Sequence, residues 1–283
     1  MGSAPGRDGD AASPGGRVLS PCEVFFSFIS GPIGGSVRYN AILKADFGPG
    51  VGLAGATRRE VEEVRRRLRE RADARAARLL RAGGKTPHRV IGVVPPAVRE
   101  VARQVARRHR RDAGLSALFG VARALWRSPW HEERSAAIHM LAVLSRRLEA
   151  RHWGEFKRWI GQARTAEHCD AIATGLLGPL VKRDRSWCRV LKHWARSRNP
   201  WERRAAAGAV FLRVRHMGDV EAGLEICEAL MRDPSPVVQE GVGALLREAQ
   251  AVDARATGEF LERWRAKARP EILRAAGADP TDK

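Results

Sequence analysis

Beyond residue 56 the chain places prolines at a recurring interval, and that interval restricts the folds open to it. Ser128-Pro129-Trp130, Asn199-Pro200-Trp201 and Ser235-Pro236-Val237 each set a proline behind a residue able to cap a helix. Proline suits the first helical turn, where its missing N–H would have no partner anyway. Pro129 and Pro200 lie 71 residues apart and Pro200 and Pro236 lie 36 apart, so the steps are two periods and one. Without gaps, Trp130-His131-Glu132-Glu133-Arg134-Ser135-Ala136-Ala137 lies over Trp201-Glu202-Arg203-Arg204-Ala205-Ala206-Ala207-Gly208, and Met140-Leu141 over Phe211-Leu212. A period of this length holds two antiparallel helices, and such a pair buries its apolar face only by stacking on its neighbours. The expected fold is all-α, a HEAT-like α-solenoid of antiparallel helix pairs.

The surrounding sequence agrees. From Thr57 onward, apolar residues recur at helical spacing in segments of about 10 to 18 residues, broken by short Pro, Gly, Asp and Asn stretches. Thr57 followed by Glu60 reads as a capping box opening one charged helix over roughly 58–82, stopped by Gly83-Gly84. No alternating apolar run with hairpin chemistry follows. Residues 1–56 differ: 1–20 read as disordered, and one apolar piece, Val24 to Ile29, is followed by recurring glycines without a steady period. The chain therefore divides into a disordered or irregular leader, 1–56, and a repeat domain, 57–283.

Charge narrows the choice of partner. Lys and Arg number 51 against 32 Asp and Glu, a net charge of +19, and only seven of the cations are lysine. Residues 216–283 carry a net −4 and residues 1–56 a net 0, so residues 57–215 hold +23. Codon bias would spread arginine along the whole chain. Concentration in one stretch fits a basic surface for a polyanion, most simply a duplex backbone gripped through its phosphates.

Other classes are disfavoured. No uncharged apolar run of about 18 residues exists, so no membrane span is expected. Met1 to Gly16 lacks the basic start and apolar stretch of a signal peptide. Cys22, Cys169, Cys188 and Cys227 form no CxxC pair, which suits a reducing, cytoplasmic location. His131-Glu132-Glu133-Arg134-Ser135 opens like the HExxH zinc motif, but Ser135 stands where the second histidine ligand belongs, so no metal is expected. His168-Cys169 is no nucleophile pair, because adjacent helical side chains do not face each other.

From about His88 to about Glu248 the chain resembles the bacterial DNA alkylation-repair glycosylases built from HEAT-like repeats, the AlkD-like family. The resemblance begins with His88-Arg89-Val90-Ile91-Gly92-Val93-Val94-Pro95-Pro96, then Leu125-Trp126 with Pro129 and Glu132. It continues through Asp170-Ala171-Ile172 and Leu177-Gly178 to Trp194, Asn199, Trp201-Glu202-Arg203-Arg204-Ala205-Ala206 and Leu245-Leu246-Arg247-Glu248. It implies hydrolysis of the N-glycosidic bond of a cationic N3- or N7-alkylated purine in double-stranded DNA, by a monomer without a cofactor. Asp170 falls where the family keeps a catalytic carboxylate, and Arg204 where it keeps an arginine against a backbone phosphate. Arg203 and Trp201 are the neighbouring DNA-binding candidates.

Two departures stand beside the match. Better-known members frame the lesion with two tryptophans, and here those positions are Ala166 and Ala244. Trp187, Trp194 and Trp201 are the candidate substitutes, although tryptophans in such a fold more often pack between helices. Without the resemblance, Asp170 reads as a first-turn acid favoured by the helix dipole and Arg204 as one solvated arginine among many. A non-catalytic HEAT-repeat DNA-binding protein is the alternative expectation, and a protein-binding scaffold the third.

Overall fold

The computed structural model describes residues 55–82, 86–109 and 114–278. Apart from Gly55 and Ala56, the expected leader lies outside them. The helices, in chain order, are α1 (Gly55–Arg69), α2 (Ala74–Ala82), α3 (Pro95–Arg108), α4 (Gly114–Trp126), α5 (His131–Val143) and α6 (Trp153–Gln162). Then come α7 (Ala166–Ile172), α8 (Gly178–Arg183), α9 (Cys188–Trp194), α10 (Pro200–Met217), α11 (Val220–Leu230), α12 (Pro236–Val252), α13 (Ala254–Trp264) and α14 (Pro270–Ala276). Among the described residues there is no strand, only one isolated bridge between Arg89 and Trp130.

The helices form two stacked layers, as the repeat requires. One layer runs α3, α5, α7–α8, α10, α12, α14, each packed on the next, and the other runs α1, α4, α6, α9, α11, α13 across its back. One apolar core threads the whole stack from Val61 to Ala276. Each fully buried Leu, Ile or Phe contributes about 1.5–3 kcal/mol to holding neighbours together. Aromatic pairs tie the back layer. Trp126 of α4 stacks on Trp159 of α6 at 4.9 Å, and Trp153 of α6 on Trp187 at 3.9 Å.

Two local expectations need correction. The segment 58–82 is two helices, because Asp73 ends the first run and caps α2, its carboxylate accepting from the Ala76 N–H at 2.7 Å. Thr57 lies inside α1 rather than at its cap, and Glu60 meets His109 at 3.0 Å. Pro200 and Pro236 open α10 and α12 as expected, whereas Pro129 lies outside α5, whose N-cap is Trp130. The repeat register is instead marked by a side chain in each first turn that donates to a carbonyl six residues back. Arg134 reaches the Ser128 carbonyl, Arg203 that of Ser197 and Gln239 that of Asp233. Ser128 therefore lies over Ser197 and Asp233, two residues away from the proline overlay.

Between α7 and α8 the chain keeps turning through a π-helical segment, Ala173–Leu177. The cause is Pro179. It has no N–H to offer Gly175, and its ring crowds the carbonyl of that turn. The Gly178 N–H accordingly reaches Ala173, five residues back. Gly208 of α10 lets the neighbour sit close here, since a Cβ at that position would stand 2.9 Å from the Ala173 Cβ.

Candidate nucleic-acid interface

Stacking the first layer brings its helix starts to one edge, and contacts between consecutive starts show this directly. Ahead of α3, the N–H groups of Ile91, Gly92 and Val93 donate to the Glu132 carboxylate in the first turn of α5, at 2.9, 2.7 and 3.2 Å. Gly92 is required there: its φ is +99°, and a Cβ would stand 2.6 Å from the Asp73 carbonyl. His131, opening α5, donates from Nε2 to Glu167 in the first turn of α7 at 3.0 Å. Asp170 of α7 meets Arg204 of α10, and the Arg204 Nη1 donates to the Val237 carbonyl at the start of α12. Each helix start carries about half a positive charge from its aligned peptides, so the edge is electropositive before any side chain is counted.

Asp170 and Arg204 form a close polar pair on this edge. Arg204 donates from Nε to Oδ1 at 2.7 Å and from Nη2 to Oδ2 at 2.6 Å, a two-pronged geometry that only a planar guanidinium provides. The Arg204 side chain is 6% exposed and that of Asp170 14%. Glu240 approaches the Arg204 Nη1 from α12 at 3.4 Å. The carboxylate is thus fixed in orientation and still reachable. Thr165 caps α7 through the His168 N–H at 3.2 Å, and Asn199 caps α10 through the Trp201 N–H at 2.9 Å.

The other sequence candidates fall nearby. Arg203 donates to both oxygens of Asp233, at 2.5 and 3.1 Å, so it too is an internal clamp between starts. Trp201 lies half-buried at the start of α10, its carbonyl accepting from the Cys169 thiol at 3.4 Å. Trp187 and Trp194 are 7% and 1% exposed and belong to the core. Of the three proposed substitutes, Trp201 alone is partly open on this edge. Ala166 and Ala244 are both half-buried.

Sequence reasoning missed a histidine cluster between the starts of α5 and α7. The His131 and His168 rings stack at 4.4 Å, and His88 lies 5.7 Å from His168. The His168 Nε2 meets the Ser135 hydroxyl at 3.0 Å and the His131 carbonyl at 3.2 Å. Burial, and then the charge of His131, keep His168 well below the ordinary histidine value, hence neutral. Burial acts to raise the Glu167 carboxyl, but the hydrogen bond and charge of His131 hold it down to about 2. The only hint in the sequence was four histidines at positions 88, 131, 139 and 168, widely separated along the chain. The zinc-like start of α5 serves structure: Glu132 holds the backbone ahead of α3, and Glu133 pairs with Arg65 at 3.1 Å.

The row of helix starts is electropositive, and its acids Glu132, Glu167 and Asp170 are engaged by backbone N–H groups, His131 and Arg204. A solved structure described as a predicted DNA alkylation repair enzyme from Enterococcus faecalis shares the fold, with a TM-score of 0.64 and 15% identity over 73% of this chain and 95% of that one. No curated protein matches the chain. The family model for DNA alkylation repair enzymes matches residues 64–279, a span that takes in nearly every helix described above and the whole edge of helix starts. The chain belongs to the DNA alkylation repair enzyme family.

Proposed function

We propose that the repeat unit, residues 57–283, is a DNA glycosylase that removes cationic N3- or N7-alkylated purines from duplex DNA. The observation that carries this reading is Asp170, oriented by Arg204 and still partly exposed on the edge of helix starts. An alkylated purine already bears a positive charge, so its C1′–N bond breaks with the electron pair leaving on the base. The sugar then approaches an oxocarbenium ion. A fixed carboxylate beside C1′ stabilises that charge and orients water, whose oxygen bonds to C1′ while its proton passes to solvent. The products are the neutral alkylated base and an abasic site. Arg204 acts here as a positioning residue for Asp170, with Arg203 and Trp201 flanking the bound strand.

Duplex DNA carrying 7-methylguanine, or a bulkier N7 or N3 adduct, is the test substrate. Wild-type protein should release free base and leave alkali-labile sites. Asp170→Asn should lower the release rate by about 100-fold or more, the usual scale for removing one preorganised electrostatic partner, while duplex affinity is retained. No release from any alkylated duplex would sink the enzyme reading. Ala166 and Ala244, with Trp187 and Trp194 withdrawn into the core, favour a second reading, a non-catalytic DNA-binding member. That reading predicts duplex binding unchanged by Asp170→Asn and no abasic product.

A further inference from the structure

Several arginines of the stack are matched to carboxylates. Arg204 has Asp170, Arg203 has Asp233, and Arg123 donates to Glu155 twice at 2.7 Å. Arg134 and Arg164 differ. The half-buried Arg134 donates from Nε to the Ser128 carbonyl at 2.7 Å, with its guanidinium 4.9 Å above the Trp126 ring. Arg164, exposed just ahead of α7, donates to the carbonyls of Ala163 and Gly161 at 2.8 and 3.4 Å. Neither forms an ion pair among the described residues.

These charges oppose one another. Burial first, then the charge of Arg164, lowers Arg134 from the ordinary arginine value. His88 is drawn down to about 4 by burial and by Arg134, His131 and Arg164. Two imidazole nitrogens in the same spot, the His88 Nε2 and the His168 Nδ1, are buried without a hydrogen-bond partner, and His168 is 1% exposed. Folding normally pairs a partly buried guanidinium with an acid. The platform below is rigid: Trp126 stacks on Trp159, and its Nε1 donates to Gln162 at 2.7 Å. The side chains are thus held in place before any partner arrives.

We propose that Arg134 and Arg164, with His88 at the rim, form a seat for a backbone phosphate of duplex DNA, between the starts of α5 and α7. The assignment rests on the DNA reading above and adds the residues that grip the strand. It divides the arginines into two kinds: Arg203 and Arg204 tie the protein to itself, while Arg134 and Arg164 await an external anion.

The experiment is fluorescence anisotropy of a short labelled, undamaged duplex between about 50 and 200 mM salt. Wild-type protein, Arg164→Gln, the double variant R134Q/R164Q and the control Arg185→Gln are compared. Arg185 lies among Asp219 and Glu221, away from the edge, and its loss should leave binding unchanged. Each lost phosphate contact flattens the plot of log affinity against log salt by about 0.9, so the double variant, losing one or two arginine–phosphate contacts, should lose about 0.9 to 1.8 from the slope. Thermal melting of Arg164→Gln should match or exceed wild type, because a repelling charge has gone; a merely structural arginine would lower it. A folded double variant with the wild-type slope overturns the proposal, whatever inorganic phosphate does to its melting. Failure of the wild-type protein to bind duplex at about 50 mM salt overturns the DNA reading itself, a result distinct from loss confined to the variants.

Discussion

Two carboxylates in the first layer of helices, each close to a helix start, lead different lives. Glu132, in the first turn of α5, is 1% exposed and accepts three backbone N–H groups from the segment ahead of α3. Asp170, in α7, is held by the guanidinium of Arg204 and keeps 14% of its side chain exposed. Backbone donors are fixed by the fold and cannot turn elsewhere. A guanidinium can, and Arg204 already divides its donors among Asp170, the Val237 carbonyl and Glu240. Glu132, satisfied by backbone, belongs to the fold, whereas Asp170, held by one side chain and partly exposed, remains available for chemistry.

Removing the structural acid should have the largest effect. Glu132→Ala leaves three buried N–H groups without an acceptor and should cost about 4 kcal/mol, read from urea unfolding. If Asp170→Asn destabilises the protein more than Glu132→Ala does, the division between the two acids is wrong.

Acid should reveal the same asymmetry. His139, on α5 with Glu132, is held down to about 4 by burial and then by Arg99, against the opposing pull of Glu167. Unfolded, it takes up a proton below about 6.5; folded, it stays neutral until about 4. The unfolded state therefore binds more protons in that window, so stability falls as pH drops from 6.5 to 4, by about 3 kcal/mol for this group. Chemical denaturation across that range should show the loss, and His139→Gln should make it shallower. An unchanged pH dependence in that variant would remove His139 from the structural side of the comparison.

The smallest test sets apart two starts that look alike in sequence. The Asn199 side chain caps α10, whereas Ser235 makes no side-chain cap at α12. Asn199→Ala should cost about 1 kcal/mol and Ser235→Ala should be close to neutral, both by thermal melting. Equal losses would mean that the proline, and not the cap, sets these starts.

The layered helical fold was legible because proline and helical spacing are local signals. Pro200 and Pro236 sit where their chemistry demands. Pro129 does not, because Arg134, folding back onto Ser128, and Glu132, reaching the chain ahead of α3, draw the start of α5 further along. The split at Asp73 was hidden among helix-favouring arginines, and it is fixed by a partner, the Gly92 carbonyl, far along the chain. Within the site, Asp170 and Arg204 could be singled out only by resemblance. Their pairing across 34 residues is a product of stacking, as is the meeting of His88, His131 and His168. Charge counting marked out a basic stretch but could not tell arginines that face acids from those that do not.

The aligned helix starts make part of the surface potential a property of architecture instead of composition. Peptide dipoles do not titrate and cannot be mutated away, so each stacked repeat adds about half a charge to one edge at any pH. Much of the arginine on the other faces could then be exchanged for glutamine with little change in the field along that edge. A shortened stack would weaken the field even if every arginine remained.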